Sequence, residues 1–193
     1  FSYTQEDVTR VKEALGIPQN KKVLLYAPTF RDNNYEKGKG FHYDLGLDLD
    51  LLQKTIGQDF VVLFRTHYFV VDHFDLTPYK DFVIDVSRYD DINELYIVSD
   101  MLMTDYSSVF FDYAKLNRPM LFFMYDFDVY KGQLRDFYLD VNTLPGPIVY
   151  ENKDVGKTIL DLAETFEFIL RSPYAYIYNS FIVFASLTLV YLF

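Results

Sequence analysis

Three groups of polar residues stand directly behind apolar runs in this sequence: Thr29 and Arg31 after Val23–Tyr26, Arg65 and His67 after Phe60–Phe64, and Thr104-Asp105-Tyr106-Ser107-Ser108 after Met101–Met103. If the apolar runs are parallel strands lying side by side, all three groups face one crevice. That crevice then holds two guanidinium groups, an imidazole and several hydroxyls, the furnishing of a phosphate pocket. The third group joins a strand to a helix whose first amide groups have no partner within the helix, and phosphate oxygens can fill them. Ser107 serving as an ordinary helix cap fits the same spacing equally well. Arg65 and His67 are likewise open to a second account, a surface ion pair and an imidazole held by a carbonyl, although an imidazole is suited to proton transfer. His42 and His73 sit in polar, loop-like surroundings. Asp90, Asp91 and Glu94 crowd a helix start, where negative charge is favourable, and of the three Glu94 is the candidate for a ribose contact.

The elements that must position these groups follow from periodicity. Val8, Val11, Ala14 and Leu15 have the spacing of an amphipathic helix closed by Gly16 and Pro18. Short unbroken apolar runs follow at Val23–Tyr26, Phe60–Phe64, Phe82–Val86, Met101–Met103, Met120–Met124 and Ile148–Tyr150. Runs without alternation suit parallel strands covered on both faces. Between them, helices are expected from an Asp44 cap to Ile56, from Ile92 to Ser99, from Ser107 to Leu116, and from about Lys153 to Phe166. Strands alternating with helices predict an α/β domain with a Rossmann-like, mainly parallel sheet over residues 1–166, and ligands in such sheets bind at the carboxyl ends of the strands.

Composition removes several functions. Acidic residues outnumber basic ones 28 to 18, for a net charge of −10; the field repels polyanions, so no nucleic-acid partner is expected. The absence of cysteine excludes disulfides, thiolate nucleophiles and cysteine-ligated metals. No glycine-rich phosphate fingerprint and no His-Glu-x-x-His pattern occurs, so neither a dinucleotide nor a metal cofactor is expected. The N-terminus lacks the pattern of a secretory signal and reads as a cut into a longer chain. Residues 172–193 carry no charge and are rich in Tyr, Phe, Ile, Leu and Val, long enough for a membrane anchor and compatible also with an apolar helix docked on the domain or with the product of a frameshift or broken gene.

Several ordered motifs resemble the CDP-glycerol glycerophosphotransferases of teichoic-acid synthesis. They are Tyr26-Ala27-Pro28-Thr29-Phe30-Arg31, Arg65-Thr66-His67-Tyr68, Ser99-Asp100 with Thr104 through Ser108, Asn117-Arg118-Pro119, and Leu144-Pro145-Gly146-Pro147. The likeness covers about Lys12 to Phe166 and implies the C-terminal, donor-binding half of a GT-B architecture, with the N-terminal acceptor domain missing. It implies CDP-glycerol as donor, CMP as leaving product, and a lipid-linked polyol phosphate as acceptor at the cytoplasmic face of the cell membrane. Carried over residue by residue, His67 is the expected catalytic group, and Thr29, Arg31, Arg65, Glu94, Thr104, Asp105, Ser107 and Ser108 are expected to bind substrate. A non-catalytic nucleotide-binding or membrane-tethered remnant is the alternative that a missing acceptor domain leaves open.

Overall fold

The computed structural model describes residues 2–29, 35–36, 40–41, 45–66, 75–129 and 141–171. Helix α1 (Gln5–Ala14) begins in a reciprocal cap: the Asp7 amide donates to the Thr4 hydroxyl at 3.2 Å, and the Thr4 amide donates to the Asp7 carboxylate at 2.8 Å. Strand β1 (Lys22–Tyr26) follows, then a small antiparallel pair, β2 (Tyr35–Glu36) and β3 (Gly40–Phe41). Next come α2 (Leu49–Ile56), β4 (Phe60–Phe64), β5 (Val83–Asp85), α3 (Ile92–Val98), β6 (Met101–Thr104) and α4 (Val109–Tyr113). The described chain closes with β7 (Met120–Phe123), β8 (Ile148–Val149) and α5 (Asn152–Arg171).

Six strands form one sheet in the order β5-β4-β1-β6-β7-β8, and every neighbouring pair is parallel. Strand side chains alternate between faces, so each run supplies two cores. Val23, Leu25, Val61, Leu63 and Leu102 meet Val11 of α1, Leu95 of α3 and Phe110 of α4. Leu24, Tyr26, Val62, Phe64 and Met103 meet Leu52 and Ile56 of α2 and Val155 and Ile159 of α5. This double cover is why the strands read as unbroken apolar runs. On the second face α5 comes so close to α2 that a Cβ at Gly156 would lie 2.7 Å from the Thr55 methyl carbon.

The chain order reverses between β1 and β6. β1 leads outward through β4 to β5, and β6 leads outward the other way through β7 to β8. Such a reversal opens a crevice beyond the carboxyl ends of the two central strands, where doubly wound sheets hold their ligands.

The expected α/β architecture and all six strands are present, and several boundaries differ: the helix expected from Ser107 to Leu116 is α-helical over Val109–Tyr113, after a Ser108 cap position, and tightens to a 3-10 turn over Ala114–Leu116. Asp48, not Asp44, caps α2: its carboxylate accepts from the Leu51 amide at 2.9 Å, while Asp44 lies outside the described residues. Asp91 is the cap of α3 rather than part of its first turn, accepting from the Asn93 amide at 2.8 Å. The last helix continues past Phe166 to Arg171, its Glu167 carboxylate accepting from the Lys22 ammonium at the start of β1. Residues 172–193, where an anchor or docked helix is expected, lie outside the described residues. Among the described residues no helix is long and apolar enough to cross a membrane.

Candidate functional site at the reversal of the sheet

The ends of β1 and β6 are laced together by side chains. The Ala27 amide donates to the Met103 carbonyl at 3.0 Å, and the Thr104 hydroxyl donates back to the Ala27 carbonyl at 2.8 Å. One oxygen of Asp105 then accepts from the Thr29 amide at 2.8 Å, the Thr29 hydroxyl at 2.6 Å and the Tyr106 amide at 2.6 Å. Asp105 is only 2% exposed. A buried carboxylate is tolerated when charge-assisted donors surround it, and here those donors are the two chain ends that must meet. Thr104 and Asp105 therefore shape the crevice from beneath.

Above them stand Ser107 and Ser108. The Val109 amide approaches the Ser107 hydroxyl at 3.4 Å, a long contact, while Ser108 is exposed, occupies the cap position of α4 and makes no side-chain capping bond. Helices α1, α2 and α3 are all closed by side chains, Thr4, Asp48 and Asp91. Ordinary capping thus accounts for little of what the two serines offer.

At the end of β4, the Arg65 amide continues the ladder onto the Tyr26 carbonyl at 2.9 Å. Its guanidinium turns toward the loop between β5 and α3, where Nη1 donates to the carbonyls of Val86 at 3.0 Å and Tyr89 at 2.9 Å. Those acceptors are neutral, no carboxylate pairs with Arg65 among the described residues, and burial lowers its pKa from the ordinary value. Beside it, the Thr66 amide donates to the Ser87 hydroxyl at 3.0 Å. The Thr66 hydroxyl is buried with no hydrogen-bond partner, a condition that costs about 1–3 kcal/mol.

Glu94 stands in the first turn of α3 and is already engaged. One oxygen accepts from Arg10 Nη2 at 2.7 Å and the other from the Tyr89 hydroxyl. The Tyr89 bond and then the Arg10 bond hold the Glu94 carboxyl below the usual range, and the same contact with Glu94 pushes the Tyr89 phenol up to about 12. Tyr89 thereby links the two candidates, accepting from Arg65 with its carbonyl and donating to Glu94 with its hydroxyl.

The structure thus brings Thr29, Thr104, Asp105, Ser107 and Ser108 together, and sets Arg65 and Glu94 on neighbouring elements. Arg31 and His67 lie outside the described residues, as do His42 and His73. Three of the motif segments, Ser99-Asp100, Asn117-Arg118-Pro119 and Leu144-Pro145-Gly146-Pro147, belong to the opposite end of the sheet. Arg118 Nη1 donates to the carbonyls of Tyr96 at 3.3 Å, Ile97 at 2.8 Å and Ser99, closing the end of α3. Asn117 before it adopts a left-handed conformation with φ 52°, and Asp100 accepts from the Val23 amide at 2.8 Å. In Leu144-Pro145-Gly146-Pro147, a Cβ at Gly146 would sit 2.2 Å from the Met120 carbonyl oxygen, so only glycine allows that close approach to β7. A cavity of about 350 Å³ beside β8 and α5, lined by Glu151, Asp154, Lys157 and Asp161 among others, includes none of the crevice residues. Among the described residues no group of three or more His, Asp or Glu is placed to hold a metal ion. The roles of Thr66, Ser87 and Tyr89 were not foreseen: nothing in the order of residues marks a hydroxyl as unpartnered or a tyrosine as the link between two distant charges.

The sequence profile described as "CDP-Glycerol:Poly(glycerophosphate) glycerophosphotransferase" matches residues 1–180. A teichoic acid poly(glycerol phosphate) polymerase from Bacillus subtilis (strain 168) is 47% identical over 161 residues, which are 82% of this chain and 21% of that protein. A crystallised variant of the wall teichoic acid polymerase TagF, soaked for 15 minutes with CDPG, superposes with a TM-score of 0.75 at 45% identity, covering 83% of this chain and 39% of that one. The Escherichia coli ADP-heptose LPS heptosyltransferase II superposes with a TM-score of 0.61 at 10% identity, over 86% of this chain and 54% of its own, and shares the fold alone. This chain therefore spans about a fifth to two fifths of the length of the teichoic-acid proteins it matches.

Proposed function

The chain belongs to the CDP-glycerol:poly(glycerophosphate) glycerophosphotransferase family, and from that premise we propose that it is the donor-binding half of such an enzyme. The reaction is transfer of glycerol phosphate from CDP-glycerol to a lipid-linked poly(glycerol phosphate) acceptor in teichoic-acid synthesis. An acceptor hydroxyl oxygen bonds to the β-phosphorus, the bond from that phosphorus to the bridging oxygen breaks, and CMP departs with the electron pair. The hydroxyl proton passes to a base on the acceptor-binding part of the enzyme, outside this chain.

One observation carries the reading. Two family motifs, Ala27-Pro28-Thr29 and Thr104 through Ser108, meet at the reversal of a parallel sheet, tied by a single buried carboxylate. A crevice at that place is where a nucleotide fits the fold. In this account Thr104 and Asp105 hold the floor, Thr29 assists them through its two bonds to Asp105, Ser107 and Ser108 face the diphosphate, and Arg65 with Arg31 offsets charge on the transferring phosphoryl group. His67 stabilises the departing pyrophosphate oxygen, and Glu94 orients Arg10 and Tyr89 at the rim. The enzyme works as a peripheral protein at the cytoplasmic face of the membrane, where its lipid-linked acceptor lies.

The test is calorimetric titration of this chain with CDP-glycerol, followed by assay of CMP release when the lipid-linked acceptor is added. Saturable binding is expected, with His67→Ala abolishing whatever release occurs. Absence of saturable binding contradicts the reading.

A further inference from the structure

Outside the lacing of β1 and β6, one more group of donors stands at the carboxyl ends of the strands. Thr66 follows the end of β4 and Ser87 follows the end of β5, neighbouring parallel strands. They are joined by the bond from the Thr66 amide to the Ser87 hydroxyl oxygen. That bond uses an acceptor on Ser87 and leaves its O–H to donate. The Thr66 hydroxyl is unpartnered although Thr66 is only 6% exposed. Next to both, Arg65 directs Nη1 to two carbonyls, and its positive charge meets no carboxylate among the described residues.

A buried hydroxyl without a partner is a cost that valine, of the same shape, would remove. The Thr66 and Ser87 hydroxyls can each donate, Arg65 supplies positive charge, and the carboxylate bonded here, that of Asp85, is already occupied by the Ser87 amide at 2.9 Å. The complementary group is an oxyanion rich in acceptors. We propose that the Thr66 hydroxyl, with the Ser87 hydroxyl beside it, donates hydrogen bonds to a phosphate oxygen of the nucleotide diphosphate donor, completing an anion site whose charge comes from Arg65. This rests on the donor-binding reading above. It adds Thr66 and Ser87 to the residues that touch substrate, and it explains why a hydroxyl is kept where the free protein leaves it unpaired. The ligand repairs the deficit, so the cost in the free protein becomes selectivity for a bound phosphate.

The proposal is tested with the 193-residue chain by titrating CDP-glycerol and cytidine into wild type, Thr66→Val, Thr66→Ser and Ser87→Ala, with melting curves for each free protein. Thr66→Val is expected to raise the CDP-glycerol Kd about tenfold, to leave the binding of cytidine unchanged, and to leave the free protein's melting temperature equal or higher. Thr66→Ser restores affinity to within about threefold, and Ser87→Ala weakens CDP-glycerol by a smaller factor than Thr66→Val. A Thr66→Val protein that binds CDP-glycerol within twofold of wild type overturns the proposal while the donor-binding reading stands. Equal loss for cytidine overturns the assignment to phosphate. A melting temperature that falls in Thr66→Val shows that the hydroxyl serves the fold instead, and a wild-type chain that binds no CDP-glycerol removes the donor-binding reading and this proposal together.

Discussion

The two ends of the same parallel sheet use the same kinds of polar residue in opposite ways. At the amino ends, Arg118 directs a guanidinium nitrogen to carbonyls at the end of α3, Asp100 takes the Val23 amide, and the Ser99 hydroxyl donates to the Leu95 carbonyl at 2.6 Å. Tyr113, fully buried, donates to the Ser99 carbonyl at 2.9 Å. These side chains are absorbed by the backbone. At the carboxyl ends Asp105 does similar work for Thr29 and Tyr106, but around it donors remain in reserve: Ser108 makes no capping bond, and the Thr66 hydroxyl has no partner. A serine, an arginine and an aspartate stand in motifs at both ends. What separates a fold motif from a site motif is whether the hydrogen-bonding capacity is filled before a ligand arrives.

Substitutions at the two ends should therefore separate stability from binding. The largest effect is expected at the amino end. Arg118→Ala removes a charged donor from carbonyls that cap α3, and should lower unfolding free energy by about 2–4 kcal/mol, seen as a reduced urea midpoint. Its folded fraction should bind CDP-glycerol with unchanged Kd; a large loss of affinity would blur the division between the ends. Asp105→Ala comes next, because that carboxylate belongs to both roles. Loss of about 1–3 kcal/mol of stability should accompany at least a tenfold rise in Kd, measured on the same preparation by chemical denaturation and calorimetry. Stability loss with intact binding would show that the floor can loosen without disturbing the crevice.

Ser108→Ala sharpens the contrast from the other side. Its exposed, uncapping hydroxyl predicts a stability change within about 0.5 kcal/mol and a several-fold weaker Kd for CDP-glycerol. An unchanged Kd would remove Ser108 from the site. The smallest expected effect concerns acid. The Glu94 carboxyl is held below its ordinary value by Tyr89 and Arg10. Its contribution is therefore present above the unfolded carboxylate range and is lost as pH falls through the lowered folded value. Glu94→Gln should flatten the acid limb of the stability-against-pH curve below about pH 4.3, while an unaltered limb would place the acid sensitivity elsewhere.

Much of this organisation was legible in the sequence, for a physical reason. Strands covered on both faces must be apolar along their length, so Phe60–Phe64 and Met120–Phe123 declared themselves. Polar residues immediately beyond them pointed to the carboxyl-end crevice. Less legible was anything decided by geometry between distant residues. Asp44 and Asp48 are equivalent as letters, and only Asp48 meets the Leu51 amide. Arg65 reads as a ligand for phosphate, yet one of its nitrogens is held by the Val86 and Tyr89 carbonyls, a contact set by how the β5–α3 loop folds back. Arg118 reads as part of a family motif, and its work on the end of α3 appears only when the chain is folded. The last turns of α5 bring Glu167 to Lys22, a partner far away in sequence.

The most direct test of the division between the two ends is amide hydrogen exchange of this chain with and without saturating CDP-glycerol. The account predicts added protection at residues 26–29, 65–66 and 104–109, with none at residues 99–101 and 117–119. Protection at the amino-end motifs, or none at the carboxyl ends despite saturation, would contradict it.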